Sequence, residues 1–580
     1  MIKKLIVYLR EFRRDAVLAP LLIVLEVICE LLLPLLMARI IDVGINGGGG
    51  MPYIWKAGAG MLALSFLSMY CGVAAARHAA YASQGFGRNL RSALFRQVQR
   101  FSFAGIDRFS TASLITRITN DVSMLQNTVA MSLRILIRAP MQLLTALAVC
   151  LFMNARLTLI LAVALPVLAL SAGLLMKKVR PLFKVFQEKI DGLNAAVQEN
   201  LISVRVVKAY VRQEHEKEKF DRANKGLLRA GLNAVMRVIA IMPIMMLILN
   251  GVVLAVFWFG GRQVAAGTML TGELYSFYMY IAQVLMSTLM VAMVFLQLTR
   301  AVACATRILE VLEAEPDIRD GAKTPAELPA SQGRVEFRNV TFRYKEGTGD
   351  DVLNSISFTV EPGQFVGLIG ATGTGKSTLV NLIPRFYDVT GGAVLVDGMD
   401  VRDYPIRELR ERIGMVLQKN VLFTGTVREN LLWGNKDATE EEMVRAAKNA
   451  QAHDFIMAMP EGYDTMLDQG GVNVSGGQKQ RLCIARAMLR HPSILILDDS
   501  TSAVDSATEA EIRRSFRENL KGTTVIIIAQ RISSVRHADK IIILEDDHIA
   551  AEGTHEDLMR TSPIYQEIYQ SQQEGVIANG

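Results

Sequence analysis

Long apolar segments crowd the part of this 580-residue chain that precedes Arg300, and the remainder almost lacks them. A helix that spans a bilayer needs roughly 20 mainly apolar residues, and six segments meet that length. They cover residues 16–41, 57–82, 135–153, 157–177, 238–260 and 273–298. The pattern predicts six membrane-spanning helices in an all-α domain, followed by a separate soluble domain.

The composition agrees with this division. Hydrophobic residues make up 51% of the chain and the mean hydropathy is +0.27. The net charge of +7 is modest, and basic residues lie beside the apolar segments. This placement favours contact with membrane lipid and argues against nucleic acid as a partner. Five scattered cysteines lack metal-ligand spacing, and we expect them to be reduced and buried: Cys29, Cys71, Cys150, Cys304 and Cys483.

Basic residues also predict the orientation of the membrane domain. Two long basic stretches, 85–134 and 178–237, separate the spans, and such stretches favour the cytoplasmic side. The short loops near Gly47, Asn154 and Gly261 then face outward. The first apolar segment is too long for a signal peptide, so we expect it to be a retained helix. Both termini and the soluble domain are therefore predicted to be cytoplasmic, below a cell membrane.

Helix-breaking residues mark the boundary between the two halves. After Arg300 the pattern turns polar, and Pro316, Pro325 and Pro329 follow within a short stretch. An α/β pattern of short apolar runs then begins. We predict a transmembrane domain at 1–310, a linker at 311–333, a nucleotide-binding domain at 334–572 and a C-terminal tail at 573–580.

Two acidic residues lie inside the first predicted span. Glu26 and Glu30 are four positions apart, so they share one helix face. A carboxylate in the membrane is costly and by default marks a functional position, here for substrate or proton. The alternative is structural, with contact to water or an ion pair with Arg39. The sequence leaves both open.

The soluble half carries a phosphate-binding loop. An apolar run at 364–369 ends at a glycine-rich loop, and a helical pattern follows at 378–383. In such loops backbone N–H groups surround phosphate oxygens, Lys376 adds a positive charge and Ser377 offers a hydroxyl to Mg²⁺. The sequence therefore predicts ATP binding by Gly370, Ala371, Thr372, Gly373, Thr374, Gly375, Lys376, Ser377 and Thr378.

Two more segments of this domain suit phosphate or metal. The apolar run 494–497 reads as a buried strand that ends at Asp498, a candidate Mg²⁺ ligand, with Asp499 next to it. A second helix start suits phosphate at its N-terminus, and it is formed by Ser475, Gly476, Gly477 and Gln478. One nucleotide hardly needs both phosphate surfaces from one chain. We expect the two surfaces to serve different nucleotides across a dimer.

The order of these motifs resembles half-transporters of the ATP-binding cassette (ABC) exporter superfamily over essentially the full length. The resemblance implies a loop at 370–378, a signature motif at 474–478, a Walker B strand that ends at Asp498 and a D-loop at 502–505. It further implies that Tyr344 stacks on adenine and that Gln418 is the Q-loop residue. The implied ligands of Mg²⁺ are Ser377, Gln418 and Asp498.

The membrane half carries two further similar segments. The stretch from Asp107 to Asp121 resembles the first exporter coupling segment, and the stretch from Ala209 to Glu214 resembles the approach to the second.

Three positions depart from the family pattern. Members that hydrolyse ATP efficiently have Glu after the Walker B Asp and His in the switch loop, where this chain has Asp499 and Gln530. A general base must reach its water within about 2.6–3.2 Å, and Asp is one methylene shorter than Glu; the loss could be roughly 10²–10⁴-fold. Gln cannot carry the positive charge of an imidazole. Gln469 stands where exporters usually have Glu.

These departures, read with the resemblance, imply an impaired catalytic site within a heterodimer. The second half-transporter chain would supply the Glu and His of the competent site, which this chain's signature completes. The expected function is ATP-driven export of amphipathic small molecules by a transport ATPase. One alternative is a homodimeric lipid or peptide exporter in which Asp499 is a slow base. Another, of a different class, is an ATP-gated channel or a regulatory membrane protein.

Overall fold

The computed structural model describes residues 2–344, 349–499 and 505–577. The predicted D-loop residues Ser502, Ala503 and Val504 lie outside these ranges. The chain divides into two compact units, one of Met1–Arg96 with Ile115–Glu313 and one of Gln97–Leu114 with Ala314–Gly580. Residues 97–114 therefore belong to the unit of the soluble fold. The domain boundaries expected from the sequence stay predictions.

Long helices dominate the chain up to Leu312. In order, the helices are α1 Ile2–Ile6, a 3₁₀ helix Val7–Phe12, α2 Arg13–Arg39, a π-helical turn Ile40–Ile45, α3 Gly50–Gln99, α4 Phe103–Phe109, α5 Thr111–Thr116, a π-helical turn Arg117–Asp121, α6 Val122–Met153, α7 Ala155–Ile202, α8 Val204–Ala209, α9 Gln213–Ile239, α10 Ile241–Ala265 and α11 Thr271–Leu312.

The predicted spans fall on these helices, which confirms the helical membrane domain. Four helical stretches of the described chain are long and apolar enough to cross a membrane: Lys3–Ile45, Gly50–Gln99, Thr111–Met153 and Gln213–Ala265. Ala155–Leu168 is a shorter apolar helical segment. The fifth predicted span, 238–260, is not one uninterrupted helix, because α9 ends at Ile239 and α10 begins at Ile241.

The turn predicted at Asn154 is present and has a clear local cause. Asn154 adopts an extended conformation with φ −157° and ψ 96°, which ends α6. Its side-chain oxygen accepts a hydrogen bond from the Leu157 N–H at 3.1 Å and so caps α7. The helices are long enough to pack as neighbours across this short turn.

Arg138 of α6 binds both glutamates of the first span. Its guanidinium lies 2.7 Å from Glu26 Oε1 and 2.6 Å from Glu30 Oε1. The structural alternative is therefore realised, but the partner is Arg138 and not Arg39. Gly72 of α3 leaves room for the carboxylate, since a Cβ atom there would lie 2.8 Å from Glu26 Oε1. A role for these glutamates in transport stays a prediction.

The soluble unit contains three sheets and ten further α-helices within the described residues. Its strands are β1 Val335–Phe342, β2 Leu353–Val360, β3 Phe365–Ile369, β4 Gly391–Val396, β5 Met399–Asp400, β6 Ile413–Val416, β7 Gly425–Thr426, β8 Met466–Leu467, β9 Ile494–Asp498, β10 Thr524–Ile528, β11 Lys540–Glu545 and β12 His548–Gly553. Its helices are α12 Lys376–Leu382, α13 Ile406–Glu411, α14 Val427–Leu432, α15 Glu440–Asn449, α16 His453–Met457, α17 Gly476–Leu489, α18 Ser506–Asn519, α19 Ile532–Val535, α20 His555–Thr561 and α21 Pro563–Ile577, and 3₁₀ turns lie at Pro325–Glu327, Gly462–Asp464 and Gln469–Gly471.

The larger sheet positions the candidate site. Its strand order is β12-β11-β3-β10-β9-β6, and β3, β10 and β9 are parallel neighbours. All three are fully buried, which explains their uninterrupted apolar sequences. Because parallel strands end at one edge, the segments after β3, β9 and β10 meet there. An antiparallel sheet, β2-β1-β4-β5, completes the predicted α/β fold.

The cysteine prediction is confirmed. All five thiols are free and buried.

Candidate functional site

The glycine-rich loop joins β3 to α12 in the conformation that the sequence predicts. Gly375 caps α12 with φ 84° and ψ 9°, a left-handed conformation that favours glycine. Gly373 also has positive φ, at 95°, and a Cβ atom added there would meet no other atom within 4 Å. The loop is therefore open at Gly373, where a phosphate would approach its backbone.

Lys376 folds back over this loop. Its ammonium donates hydrogen bonds to the carbonyl oxygens of Gly370 at 2.9 Å and Ala371 at 2.5 Å. Burial lowers the pKa of Lys376 below its ordinary value, while the charges of Asp498 and Asp499 oppose that change. A bound phosphate would add to the negative charge that these two carboxylates place near the half-buried ammonium.

The predicted magnesium ligands Ser377 and Asp498 are in contact. The Ser377 hydroxyl donates to Asp498 Oδ1 at 2.9 Å, where β9 ends. Burial raises the pKa of Asp498 above its ordinary value, and the Ser377 hydrogen bond opposes this. Hydroxyl and carboxylate oxygens are suitable for Mg²⁺, which usually takes one or two protein carboxylates with phosphate and water. The two residues therefore fit a bound Mg²⁺.

Gln418 reaches the carboxylate of Asp499. A hydrogen bond from its side chain favours the ionised form of Asp499. The overall pKa of Asp499 is nevertheless raised, because burial outweighs the hydrogen bonds from Gln530 and Gln418 and the charge of Lys376. Gln418 thus lies beside the predicted base position, and its role as a metal ligand stays a prediction.

The two positions that depart from the family pattern bind each other. Gln530 Nε2 donates to Asp499 Oδ2 at 2.8 Å. Asp499 has a left-handed backbone with φ 48°, and its N–H donates to Ile528 O of β10 at 3.2 Å. Gln480 Nε2 donates to the Asp499 carbonyl oxygen at 3.3 Å. Hydrogen bonds therefore fix both the backbone and the side-chain carboxylate of Asp499.

Tyr344 lies beside the phosphate loop. Its hydroxyl is 2.9 Å from Thr378 Oγ1, and its ring meets those of Phe342 and Tyr387 edge-on, with centroids 4.8 Å and 5.3 Å away. These contacts fix the ring next to α12. Stacking on adenine stays a prediction.

The signature segment forms a capped helix start. Ser475 precedes α17, its hydroxyl accepts the Gln478 N–H at 3.3 Å, and its own N–H donates to Gln478 Oε1 at 2.9 Å. This is a capping box, which orders the turn without a ligand. Among the residues described, no hydrogen bond joins 475–478 to the loop 370–378. The two elements that the sequence predicts to bind phosphate are therefore separate within this chain.

Comparison with known proteins identifies the family. The model of the ABC transporter transmembrane region matches residues 17–289, and the ABC transporter model matches residues 353–502. The uncharacterized ABC transporter ATP-binding protein YfiB of Bacillus subtilis is 39% identical over 570 residues, 98% of each chain. This chain belongs to the ABC transporter family.

This ABC transporter is also similar to a lipid flippase and to an exporter of known structure. The ATP-dependent lipid A-core flippase of Syntrophus aciditrophicus is 35% identical over 485 residues, covering 83% of the transporter and 80% of the flippase. The structure of a bacterial Atm1-family ABC exporter with ATP bound superposes with a TM-score of 0.80 at 25% identity, over 97% and 98% of the chains. The transporter therefore has an exporter fold, with an ABC ATPase domain after the membrane domain.

Part of the predicted first coupling segment packs within the ATP-binding unit of the transporter. The hydroxyl of Tyr387 donates to Asp107 Oδ2 at 2.8 Å. Four residues before the predicted segment, the ring of Phe103 stacks on that of Phe386, with the centroids 4.3 Å apart. Burial and the Asp107 hydrogen bond raise the pKa of Tyr387. Since Tyr387 also touches Tyr344, a continuous set of contacts runs from this segment to the phosphate loop.

Sequence reasoning missed two glutamines of the transporter site. Gln480 is buried on α17 and contacts Asp499, and its position two residues after the signature was the only available signal. Gln572 of α21 binds the backbone of residues 530–532, which we call the switch segment. No sequence motif marks Gln572.

Proposed function

We propose that this chain is one subunit of a heterodimeric exporter that uses ATP and Mg²⁺ to move amphipathic small molecules across the cell membrane. Its own catalytic site would bind ATP and hydrolyse it slowly. The observation that carries this proposal is the 2.8 Å hydrogen bond between Gln530 Nε2 and Asp499 Oδ2. The ATP-binding domain and both termini would lie in the cytoplasm.

The binding elements support retention of nucleotide. Lys376, Ser377 and Asp498 are present and close together. Selection against nucleotide would have removed them. ATP would favour the closed cassette dimer over the open one, and only this difference in affinity can shift the two populations.

The base position supports slow chemistry. Burial raises the pKa of Asp499, which makes it a stronger base than an exposed Asp, so basicity is not its limitation. Its reach is limited, because the side chain is short and Gln530 and Gln418 bind its carboxylate. A general base must lie within about 2.6–3.2 Å of its water. The partner would supply the longer Glu and the His at the competent site.

Subunit composition tests the heterodimer directly. The tagged chain is purified gently from its host membranes and weighed intact by native mass spectrometry. A one-to-one complex with a second half-transporter of similar mass is the expected result. Recovery of a dimer of this chain alone would overturn the heterodimer and make Asp499 the working base.

One observation favours a second candidate, a lipid exporter. The Syntrophus relative is described as a lipid A-core flippase and matches most of the chain. Reconstituted vesicles separate the two candidates, with ATP-dependent movement of a fluorescent amphipathic amine and of a labelled glycolipid measured in parallel. If only the glycolipid moves, the chain is a lipid exporter and the small-molecule proposal is wrong. The Lys376→Ala variant in the same vesicles reports the part that depends on this chain's nucleotide.

A further inference from the structure

The C-terminal helix α21 is anchored along one face. Tyr565 is fully buried there, and its hydroxyl lies 2.8 Å from His555 Nδ1. Ile568 packs against the same core one turn later. Gln572 follows at helical spacing, seven residues after Tyr565, so it lies on this anchored face. The packing of α21 therefore fixes the position of the Gln572 amide.

The Gln572 amide bridges two backbone groups of the switch segment. Its Oε1 accepts the N–H of Ile532 at 2.8 Å, and its Nε2 donates to the carbonyl oxygen of Gln530 at 2.8 Å. Ile532 begins α19, so its N–H lacks an intrahelical partner and needs such a cap. Only one orientation of the amide satisfies both groups. The two bonds fix the backbone on either side of Arg531.

The fixed backbone carries a side chain of the nucleotide site. From its clamped position, Gln530 donates to Asp499 Oδ2 at 2.8 Å. Asp499 follows Asp498, which binds the Ser377 hydroxyl. A shift of the 530–532 backbone would therefore move the Gln530 amide away from Asp499 and change the polar surroundings of the predicted nucleotide site.

We propose that Gln572 is a positioning residue that holds Gln530 against Asp499, so that the C-terminal helix sets how long this chain's site retains ATP. The inference rests on the proposed function, since it assigns a regulator to the slow site. It needs no contact between Gln572 and nucleotide. Gln572 acts through the switch backbone alone.

The test measures release of radiolabelled ATP from the full complex after dilution into unlabelled ATP. The phase that disappears in the Lys376→Ala variant belongs to this chain. Gln572→Met preserves side-chain length and removes both hydrogen bonds. We expect that phase to become about 3- to 10-fold faster. Gln573→Met is the matched control, because Gln573 is exposed and bonds only Tyr569 of its own helix among the described residues.

A double-substitution cycle separates positioning from general stability. In a Gln530→Ala background the Asp499 contact is already lost, so adding Gln572→Met should change the release rate little. An equal acceleration in both backgrounds would overturn the proposal, as would Gln572→Met releasing ATP at the wild-type rate. Melting temperatures of all variants identify a folding defect, and Gln572→Glu, which keeps only the acceptor, should give an intermediate rate.

The proposed function can fail separately. If the wild-type phase assigned by Lys376→Ala is as fast as the remaining phase, this chain's site is not the slow one. The ratio of rates between the two backgrounds still reports whether Gln572 acts through Gln530. A fast site with non-additive variants would thus retain the positioning role and discard the slow-site assignment.

Discussion

At the scale of single residues, Asp499 and Gln530 form one unit. Their hydrogen bond means that changing either residue alone leaves the other with an altered partner. Effects of residues that act together are strongly non-additive. Both substitutions therefore have to be tested together.

Restoring the family pattern should accelerate hydrolysis at this site. In a complex whose partner site is inactivated at its own catalytic Glu, the Asp499→Glu plus Gln530→His variant gains the longer carboxylate and an imidazole. We expect ATP turnover to rise there by about 10- to 100-fold over the same complex with Asp499 and Gln530 in place. Steady-state phosphate release by the purified complex measures this. The same pair combined with Lys376→Ala should stay slow, and an unchanged rate with intact binding would place the limitation elsewhere.

Burial of the Asp498 carboxylate destabilises the folded protein, and we expect bound nucleotide with Mg²⁺ to offset this. Burial raises its pKa in the folded protein, so the folded state holds a proton more tightly than the unfolded state, and stability falls as pH rises through that pKa. Asp498→Asn should raise the melting temperature of the nucleotide-free protein at about pH 7.5, and the gain should shrink as the pH is lowered toward the ordinary pKa of an Asp, about 3.9.

Thermal scans at both pH values check the Asp498 prediction. With Mg²⁺ and ATP present the order should reverse, because the variant lacks the carboxylate that fits the metal. If the rise in melting temperature is the same at both pH values, it is caused by changed packing and not by the charge of Asp498.

At the scale of elements, the first span and α6 are joined by an ion cluster. Arg138 is the shared partner of Glu26 and Glu30, and Glu26 is buried. Arg138→Ala would leave two carboxylates without their cation, and breaking a buried pair costs about 3–5 kcal/mol. We expect a marked fall in melting temperature in nanodiscs. Arg134→Ala, an exposed arginine one turn earlier, is the control and should change it little.

Elements with their own local pattern were predictable, and contacts between distant residues were not. The phosphate loop was readable because its chemistry requires fixed residue types at fixed spacing, and the spans because a bilayer requires about 20 apolar residues. The pairing of Arg138 with Glu26 and the capping of Ile532 by Gln572 depend on tertiary packing. Sequence spacing carries no record of either contact.

At the scale of the whole molecule, unequal sites should respond unequally to the same damage. Lys376→Ala in this chain would remove a predicted phosphate contact at the site that we propose to be slow, so we expect the complex to keep a measurable part of its ATP turnover. The equivalent substitution in the partner chain should abolish turnover. ATPase assays of the two single-chain variants decide this, and equal losses would indicate two equivalent sites.

The Arg138 cluster also bears on how the protein is made. Glu30 of α2 and Arg138 of α6 are 108 residues apart in the chain, so α2 leaves the ribosome before Arg138 is synthesised. At about 5–20 residues per second, synthesis of that interval takes on the order of 5–20 seconds. During this time the carboxylates of Glu26 and Glu30 do not yet have Arg138 as their partner. α2 therefore acquires the cation that pairs with its two glutamates only after α6 has been synthesised.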